Sequence, residues 1–104
     1  MRFMIRFDMP TEKVNAAIKD GTFSQTVQSL LEELQPEAAY FTVVDGARCG
    51  IFILNMDDAY QLASVAEPLF FGLGAPINEV QLLMTPEDFQ KATPAIEHAA
   101  QKYG

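Results

Sequence analysis

The sequence predicts a single α+β domain, residues 1–104, in which helices cover one face of an antiparallel four-stranded sheet. Three observations predict this fold class. Four short segments alternate apolar and polar residues, as strands do. Helical patterns lie between the first and second of these segments and between the third and fourth. The dipeptide Asp45-Gly46 joins the second and third segments directly, which is typical of a hairpin.

The first third of the chain predicts one strand and two helical segments. Residues 2–9 alternate strictly, which indicates a strand with one buried side. That side consists of Phe3, Ile5, Phe7 and Met9. Thr11 is predicted to cap a short helical segment that stops at Gly21. A longer amphipathic helix is predicted from about Phe23 to Leu34.

The hairpin is predicted over about residues 38–44 and 47–55, with a two-residue type I′ turn between them. This turn places Thr42 opposite Cys49. Both faces of the two strands are largely apolar and carry a single charge between them. Because one face packs on the chain's own helices, the other face also needs cover from water.

The next helical segment, "MDDAYQLASVAEPLFF" at residues 56–71, carries apolar residues along one side. Asp57 or Asp58 is predicted to cap its start, and Pro68 to kink it or to begin a new turn. The fourth strand is predicted from Ile77 to Thr85, where apolar and polar residues alternate again.

A C-terminal helix follows, because Thr85 is a good N-cap and is followed by a proline and two acids. A second such signal at Pro94 predicts either two short helices or one kinked helix ending near Tyr103. The complete order, β-α-β-β-α-β plus a C-terminal helix, is the ferredoxin-like arrangement with strand order 4-1-3-2. Right-handed crossovers place both main helices on one side of such a sheet, so its other face is left open.

Composition narrows the possible partners. The chain has 104 residues, 49% of them apolar, and a net charge of −7, which disfavours nucleic acid and anionic membrane surfaces. A single cysteine and a single histidine cannot form a zinc cage, so we predict no metal and no cofactor. No apolar run approaches the ~20 residues of a membrane helix, and the amino terminus lacks a signal-peptide core. These features predict a cytoplasmic protein in a reducing compartment.

The open face predicts a homodimer, since packing on a second copy is the simplest way to cover a mixed apolar and charged sheet. This architecture resembles the dimeric α/β-barrel superfamily, which includes muconolactone isomerase and the antibiotic-biosynthesis monooxygenases. The strings "PEAAYFT", "NMDDA", "AEPLFF" and "MTPEDF" are similar to those of short bacterial proteins of unassigned function. The resemblance implies the ferredoxin-like fold and a dimer, and it assigns no catalytic residue to this chain.

The candidate ligand site lies on strands one and four. If these strands pair, four polar residues become neighbours, and two arginines could hold a carboxylate or phosphate. An ion pair between Arg6 and Glu79 is the alternative interpretation. We predict that a pocket here would also be lined by aromatic residues from the hairpin and the third helical segment. The full predicted set is Arg2, Arg6, Tyr40, Phe52, Phe70, Glu79 and Gln81.

Other polar residues have ordinary structural interpretations. Tyr40, Thr42 and Cys49 could orient a ligand, but such residues are common in half-buried strands. His98 is predicted to be a solvated helical residue. No catalytic residue is predicted.

Three functional hypotheses follow. The first is a small homodimer that binds a small, partly apolar, possibly anionic molecule between its sheets. The second is a cofactor-independent enzyme, isomerase-like or monooxygenase-like, acting on a small aromatic or carbonyl acid. The third is a structural or partner-binding module without a ligand.

Overall fold

A computed structural model describes residues 1–104 and contains four strands and four helices. Along the chain they are β1 (Arg2–Asp8), α1 (Thr11–Asp20), α2 (Phe23–Leu34), β2 (Ala38–Val44), β3 (Ala47–Asn55), α3 (Gln61–Leu73), β4 (Ile77–Leu83) and α4 (Pro86–Tyr103). The strands form one open antiparallel sheet in the order β2-β3-β1-β4. This is the predicted order read from the opposite edge, and the α+β class with a four-stranded antiparallel sheet is confirmed.

The predicted hairpin register is confirmed. Thr42 lies opposite Cys49, and Val44 lies opposite Ala47 at the end of the ladder. The loop contains two residues with positive φ, Asp45 at 51° and Gly46 at 77°. Positive φ at both positions defines the type I′ turn, whose twist matches that of the paired strands.

The core lies between one face of the sheet and helices α1 to α3. Ile5 and Phe7 of β1 face Phe52 of β3 within this layer, and the Phe7 and Phe52 rings meet edge to face at 5.0 Å. The helices contribute apolar side chains from their inner faces. The twelve clustered core residues are Ile5, Phe7, Met9, Val14, Leu30, Phe52, Leu54, Met56, Val65, Leu69, Leu73 and Ala75.

Two predicted helix caps are wrong. Helix α1 begins at Thr11 after Pro10, so the Thr11 side chain lies inside the first turn and caps nothing. Helix α3 begins at Gln61, and the amides of Asp57 and Asp58 donate to the Gln61 side-chain oxygen at 2.6 and 2.8 Å. The aspartates are therefore part of a turn before the helix, because a later residue satisfies their backbone donors.

One capping motif sets both the end of β4 and the start of α4. Thr85 and Asp88 form a capping box, in which each side chain accepts from the other's backbone amide at 3.1 and 3.0 Å. The predicted Thr85 cap is confirmed. Because capping removes Thr85 from the strand, β4 ends at Leu83, two residues earlier than predicted. Helix α4 then runs unbroken through Pro94, and α3 likewise runs through Pro68.

Helix α4 projects from the rest of the molecule. None of its 18 residues is buried. The molecule measures 60 × 28 × 20 Å, and its radius of gyration is 17.4 Å. A compact domain of this length has a radius of gyration of about 13 Å. The excess reflects an extended arm, which we call the α4 arm. No helix of the chain is both long and apolar enough to cross a membrane.

Candidate functional site: the open sheet face

The open sheet face is the side of the sheet opposite the core. The buried side chains of the three packed helices, such as Val14, Leu30 and Leu69, all join the core on the other side. Strand alternation and the observed pairing place polar and apolar residues together on this face. Its members are Arg2, Met4, Arg6, Asp8, Ala38, Tyr40, Thr42, Val44, Ala47, Cys49, Ile51, Ile53, Asn55, Glu79, Gln81 and Leu83.

Arg6 occupies the middle of the open sheet face. It lies opposite Ile51 on one side and Glu79 on the other, and its Nε is 3.6 Å from a Glu79 carboxylate oxygen. This is the cross-strand ion pair of the alternative interpretation. The neighbouring Cys49 sulfur and, to a smaller extent, the Glu79 and Asp8 carboxylates raise the pKa of Arg6. The guanidinium therefore stays charged and is held between two strands.

Arg2, the first residue of β1, has a different environment. Its Nε and Nη2 donate to the two oxygens of Glu37 at 2.7 and 3.2 Å, and Asn55 also donates to this carboxylate. The hydrogen bond from Arg2 is the main cause that lowers the pKa of Glu37. Bidentate pairing of this kind uses the guanidinium edge that would hold a ligand anion. The two arginines differ in that Glu37 accepts two hydrogen bonds from Arg2, whereas no carboxylate accepts from Arg6 at hydrogen-bonding distance.

Asp8 is a polar residue of this face that sequence reasoning missed. Asn78 donates to its Oδ2 at 3.2 Å, while its Oδ1 is buried without any hydrogen-bond partner. The β1–β4 register shifts between Arg6 and Phe7, which leaves Asn78 unpaired in the ladder beside Asp8. An irregularity of this kind has no signal in an alternating sequence. A buried carboxylate oxygen without a donor is costly, so this position favours a bound hydrogen-bond donor.

Apolar residues form the rest of the open sheet face. Met4 lies opposite Ile53, and Ile51 lies between Arg6 and Tyr40. Tyr40 is 61% exposed although it stands on a strand. An apolar surface of this kind, bordered by one arginine and one incompletely bonded carboxylate, is suited to a molecule with both apolar and charged parts.

The seven predicted site residues do not lie together. Arg6 and Glu79 are directly paired, and Gln81 lies opposite Met4 between the two arginines. Tyr40 is on the same face but across β3. Phe52 is buried in the core, and Phe70 lies on α3, so both are on the helix side of the sheet. A pocket lined by both aromatic residues and the arginines is therefore incompatible with the structure, because the sheet separates them.

The remaining candidate residues occupy ordinary structural positions. His98 is an exposed residue of α4. Cys49 is fully buried, and its thiol donates to the Gly50 carbonyl at 3.7 Å. Arg48 points to the helix side and donates to Asn15 of α1 at 2.8 Å, so the cation beside the thiol is Arg6. No three of the histidine, cysteine, aspartate and glutamate side chains are grouped closely enough to hold a metal ion.

Comparison of the chain with protein-family models, with curated proteins and with solved structures finds no match.

Proposed function

We propose that this protein is a homodimer of the dimeric α/β-barrel type, in which two open sheet faces pack together and enclose a binding space. The carrying observation is the open sheet face itself, on which no helix of the chain packs although Met4, Ile51 and Ile53 lie at its middle. Pairing with a second copy removes this apolar surface from water, and it encloses the polar residues of the face, such as Arg6 and Asp8, between the two sheets.

The ligand we propose for this space is small, partly apolar and anionic. Arg6 supports the anionic part, since its guanidinium contacts Glu79 only at 3.6 Å and retains free donors. The unpartnered Oδ1 of Asp8 supports a hydroxyl or amide donor on the same ligand. Small hydroxylated aromatic acids have these three properties.

Assembly is tested with matched charge substitutions. Wild-type protein should scatter light as twice the 11.5 kDa chain. Ile51→Asp places a charge in the middle of the open sheet face and should give monomers, because the charge would be desolvated at the interface. Ile18→Asp is the control, since Ile18 is exposed on α1, away from this face. Circular dichroism confirms that both variants fold. A monomeric wild type would contradict the proposal.

Ligand binding is tested by native mass spectrometry and by calorimetric titration with salicylate, a small hydroxylated aromatic acid. Arg6→Gln should weaken binding by roughly 10- to 100-fold, as expected for loss of a hydrogen bond to a charged group. Arg2→Gln is the control, because Arg2 already pairs with Glu37. Equal losses in both variants, or no salicylate binding at all, would count against Arg6 as the anion contact.

A partner-binding module is the second candidate function, and one observation favours it. The α4 arm exposes its apolar residues along its whole length, and none of its residues is buried by its own chain. A helix of this kind is stable in water only with a surface to pack against.

A further inference from the structure

The α4 arm carries a continuous apolar stripe. Its members repeat at intervals of three and four residues, so they share one side of the helix over about four turns. They are Phe89, Ala92, Ile96, Ala99, Ala100 and Tyr103. Phe89 and Ile96 are about half exposed and Tyr103 is almost fully exposed. Alanines between the large residues allow the helix axis to come close to an opposing surface.

The same chain has an apolar groove that no helix fills. It lies on the helix side of the sheet, between the start of α3 and strands β1 and β4, and it holds about 250 Å³. Its lining is Met1, Phe3, Met56, Asp58, Ala59, Leu62 and Val80. Leu82, on the same side of β4 as Val80, extends the apolar surface and is 53% exposed. We call this surface the β4 groove.

The β4 groove exists because α3 begins late. Residues 57–60 form turns, so the helix that would cover β4 starts only at Gln61. The helix side of β4 therefore has no helix packed along it, although Val80 and Leu82 point in the same direction as Ile5, a core residue of β1, and the partly buried Phe3. Val80 and Leu82 thus form an exposed apolar strip on the helix side of the sheet, where one more packed helix would cover them.

The chain's own α4 arm is directed away from this groove. Helix α4 starts only three residues after β4 ends, and the Thr85–Asp88 capping box fixes how the helix leaves the strand. An unbroken helix of 18 residues is about 27 Å long and cannot fold back on itself. The groove and the arm of one molecule thus remain separate, while an arm from a second molecule has open access.

Charges flank both surfaces in a complementary way. Lys91 and Lys102 are eleven residues apart, about three helical turns, and therefore line the same flank of the apolar stripe. Asp58 is part of the groove wall, whereas Asp57, in the turn before α3, already pairs with the amino-terminal ammonium group at 3.1 Å. A lysine on one flank of the helix can thus meet the Asp58 carboxylate at the border of the groove, which favours one direction of docking.

We propose that the α4 arm of one protomer packs in the β4 groove of a second copy and that the second copy's arm occupies the first groove in return. The exchange rests on the proposed homodimer in requiring a second copy, but it does not require contact between the open sheet faces. The arm can bury a helical strip ~27 Å long and ~10 Å wide. Each protomer buries one such area on its own arm and a second on its own groove, which gives roughly 500 Å² of contact per protomer. That area is a large part of the ~800 Å² per partner of an ordinary interface.

Disulfide trapping tests the exchange. In a Cys49→Ala background, one preparation carries Ile96→Cys in the arm and an isotopically labelled one carries Leu62→Cys in the groove. The two are mixed, oxidised and digested, and the linked peptides are identified by mass. The expected product joins position 96 of one chain to position 62 of the other. A chain carrying both substitutions should likewise give linked dimers on a non-reducing gel, with no link inside one chain.

Four other results would overturn the exchange. Linkage within one chain would show that the arm covers its own groove. Linkage only between two positions 96 would show that two arms pair with each other. A dimeric wild type by light scattering without any 96-to-62 linkage would leave the proposed function standing and remove the exchange. A monomeric wild type would remove both.

A charge substitution gives an independent measurement. Ile96→Asp lies in the middle of the apolar stripe and should raise the dimer dissociation constant by about tenfold or more, as for a buried interface residue. Gln101→Asp is the control, because position 101 lies on the opposite side of the helix. Equal dissociation constants for the two variants would overturn the exchange.

Discussion

The charged residues of the open sheet face differ in how completely they are bonded. Glu37 accepts from both Arg2 and Asn55, whereas Glu79 contacts Arg6 only at 3.6 Å. The first cluster is a closed structural unit where β1 begins and β3 ends. The second leaves hydrogen-bonding capacity in the middle of the face, which is why the proposed ligand site centres on Arg6.

The closed cluster predicts an acid-sensitive contact. Arg2 lowers the pKa of Glu37 from its ordinary value of about 4.3. A lowered folded-state pKa contributes stability that is present above the ordinary value and is lost as pH falls through the folded value. A carboxyl NMR titration should give Glu37 a midpoint below the ordinary pKa of a glutamate. Arg2→Gln should move the midpoint upward, whereas Arg48→Gln, which loses a contact to Asn15, should not.

The Thr85 cap predicts a local change in stability. Thr85→Ala removes the side-chain acceptor for the Asp88 amide and should weaken the start of α4 by ~1 kcal/mol. Hydrogen exchange of the first-turn amides of α4 should therefore become about fivefold faster. Thr11→Ala is the matched control, because the Thr11 side chain caps nothing in α1. Unchanged exchange in the Thr85 variant would show that the cap is not formed in solution.

Among the elements, β1 and β3 meet at Gly50, which pairs with Phe7. The Phe7 ring lies over this glycine, and a methyl group added there would overlap the ring. The contact explains why a residue without a side chain stands in the middle of an apolar strand. Gly72 in α3 differs, because an added methyl would meet the Leu30 side chain at an ordinary 3.6 Å.

These two glycines form a matched pair for a stability measurement. Gly50→Ala should lower the free energy of unfolding by ~1–3 kcal/mol, because the Phe7 ring must leave its position. Gly72→Ala should raise it by up to ~1 kcal/mol, because alanine favours the helix. Urea denaturation measures both. A neutral Gly50 variant would contradict the packing of Phe7 against β3.

At the scale of the whole molecule, apolar surface lies where a single copy cannot cover it. The open sheet face, the β4 groove and the α4 arm are each incomplete in one chain, and the 60 Å length of the molecule follows from the arm. A second copy can complete all three, since each copy supplies both sides of every contact.

Assembly of this kind predicts a concentration-dependent melting temperature. Dissociation accompanies unfolding, so dilution should lower the melting temperature of the wild type. Ile51→Asp and Ile96→Asp should each reduce this dependence, and Ile18→Asp should preserve it. Differential scanning calorimetry over a hundredfold concentration range measures the effect. A melting temperature independent of concentration in the wild type would contradict self-association.

Much of the fold could be predicted because its signals are local. Alternation fixed the strand faces, and the two-residue turn at Asp45-Gly46 fixed the register of Thr42 against Cys49. The Thr85 cap likewise depends only on residues three positions apart. The caps predicted at Thr11 and at Asp57 or Asp58 are wrong, because the same residue types also occur within a first turn or in a preceding turn.

The sequence by itself determined which residues share a face, since side-chain direction along a strand or helix follows from its period. Only the tertiary structure decided which charged groups are already bonded. Arg2 pairs with Glu37, a residue 35 positions away, and an irregularity in the pairing of β1 with β4 places Asn78 beside Asp8, where it bonds only one of the two carboxylate oxygens. The direction of α4 is also tertiary, because an amphipathic pattern specifies that a helix needs an apolar surface and does not specify whose surface it is.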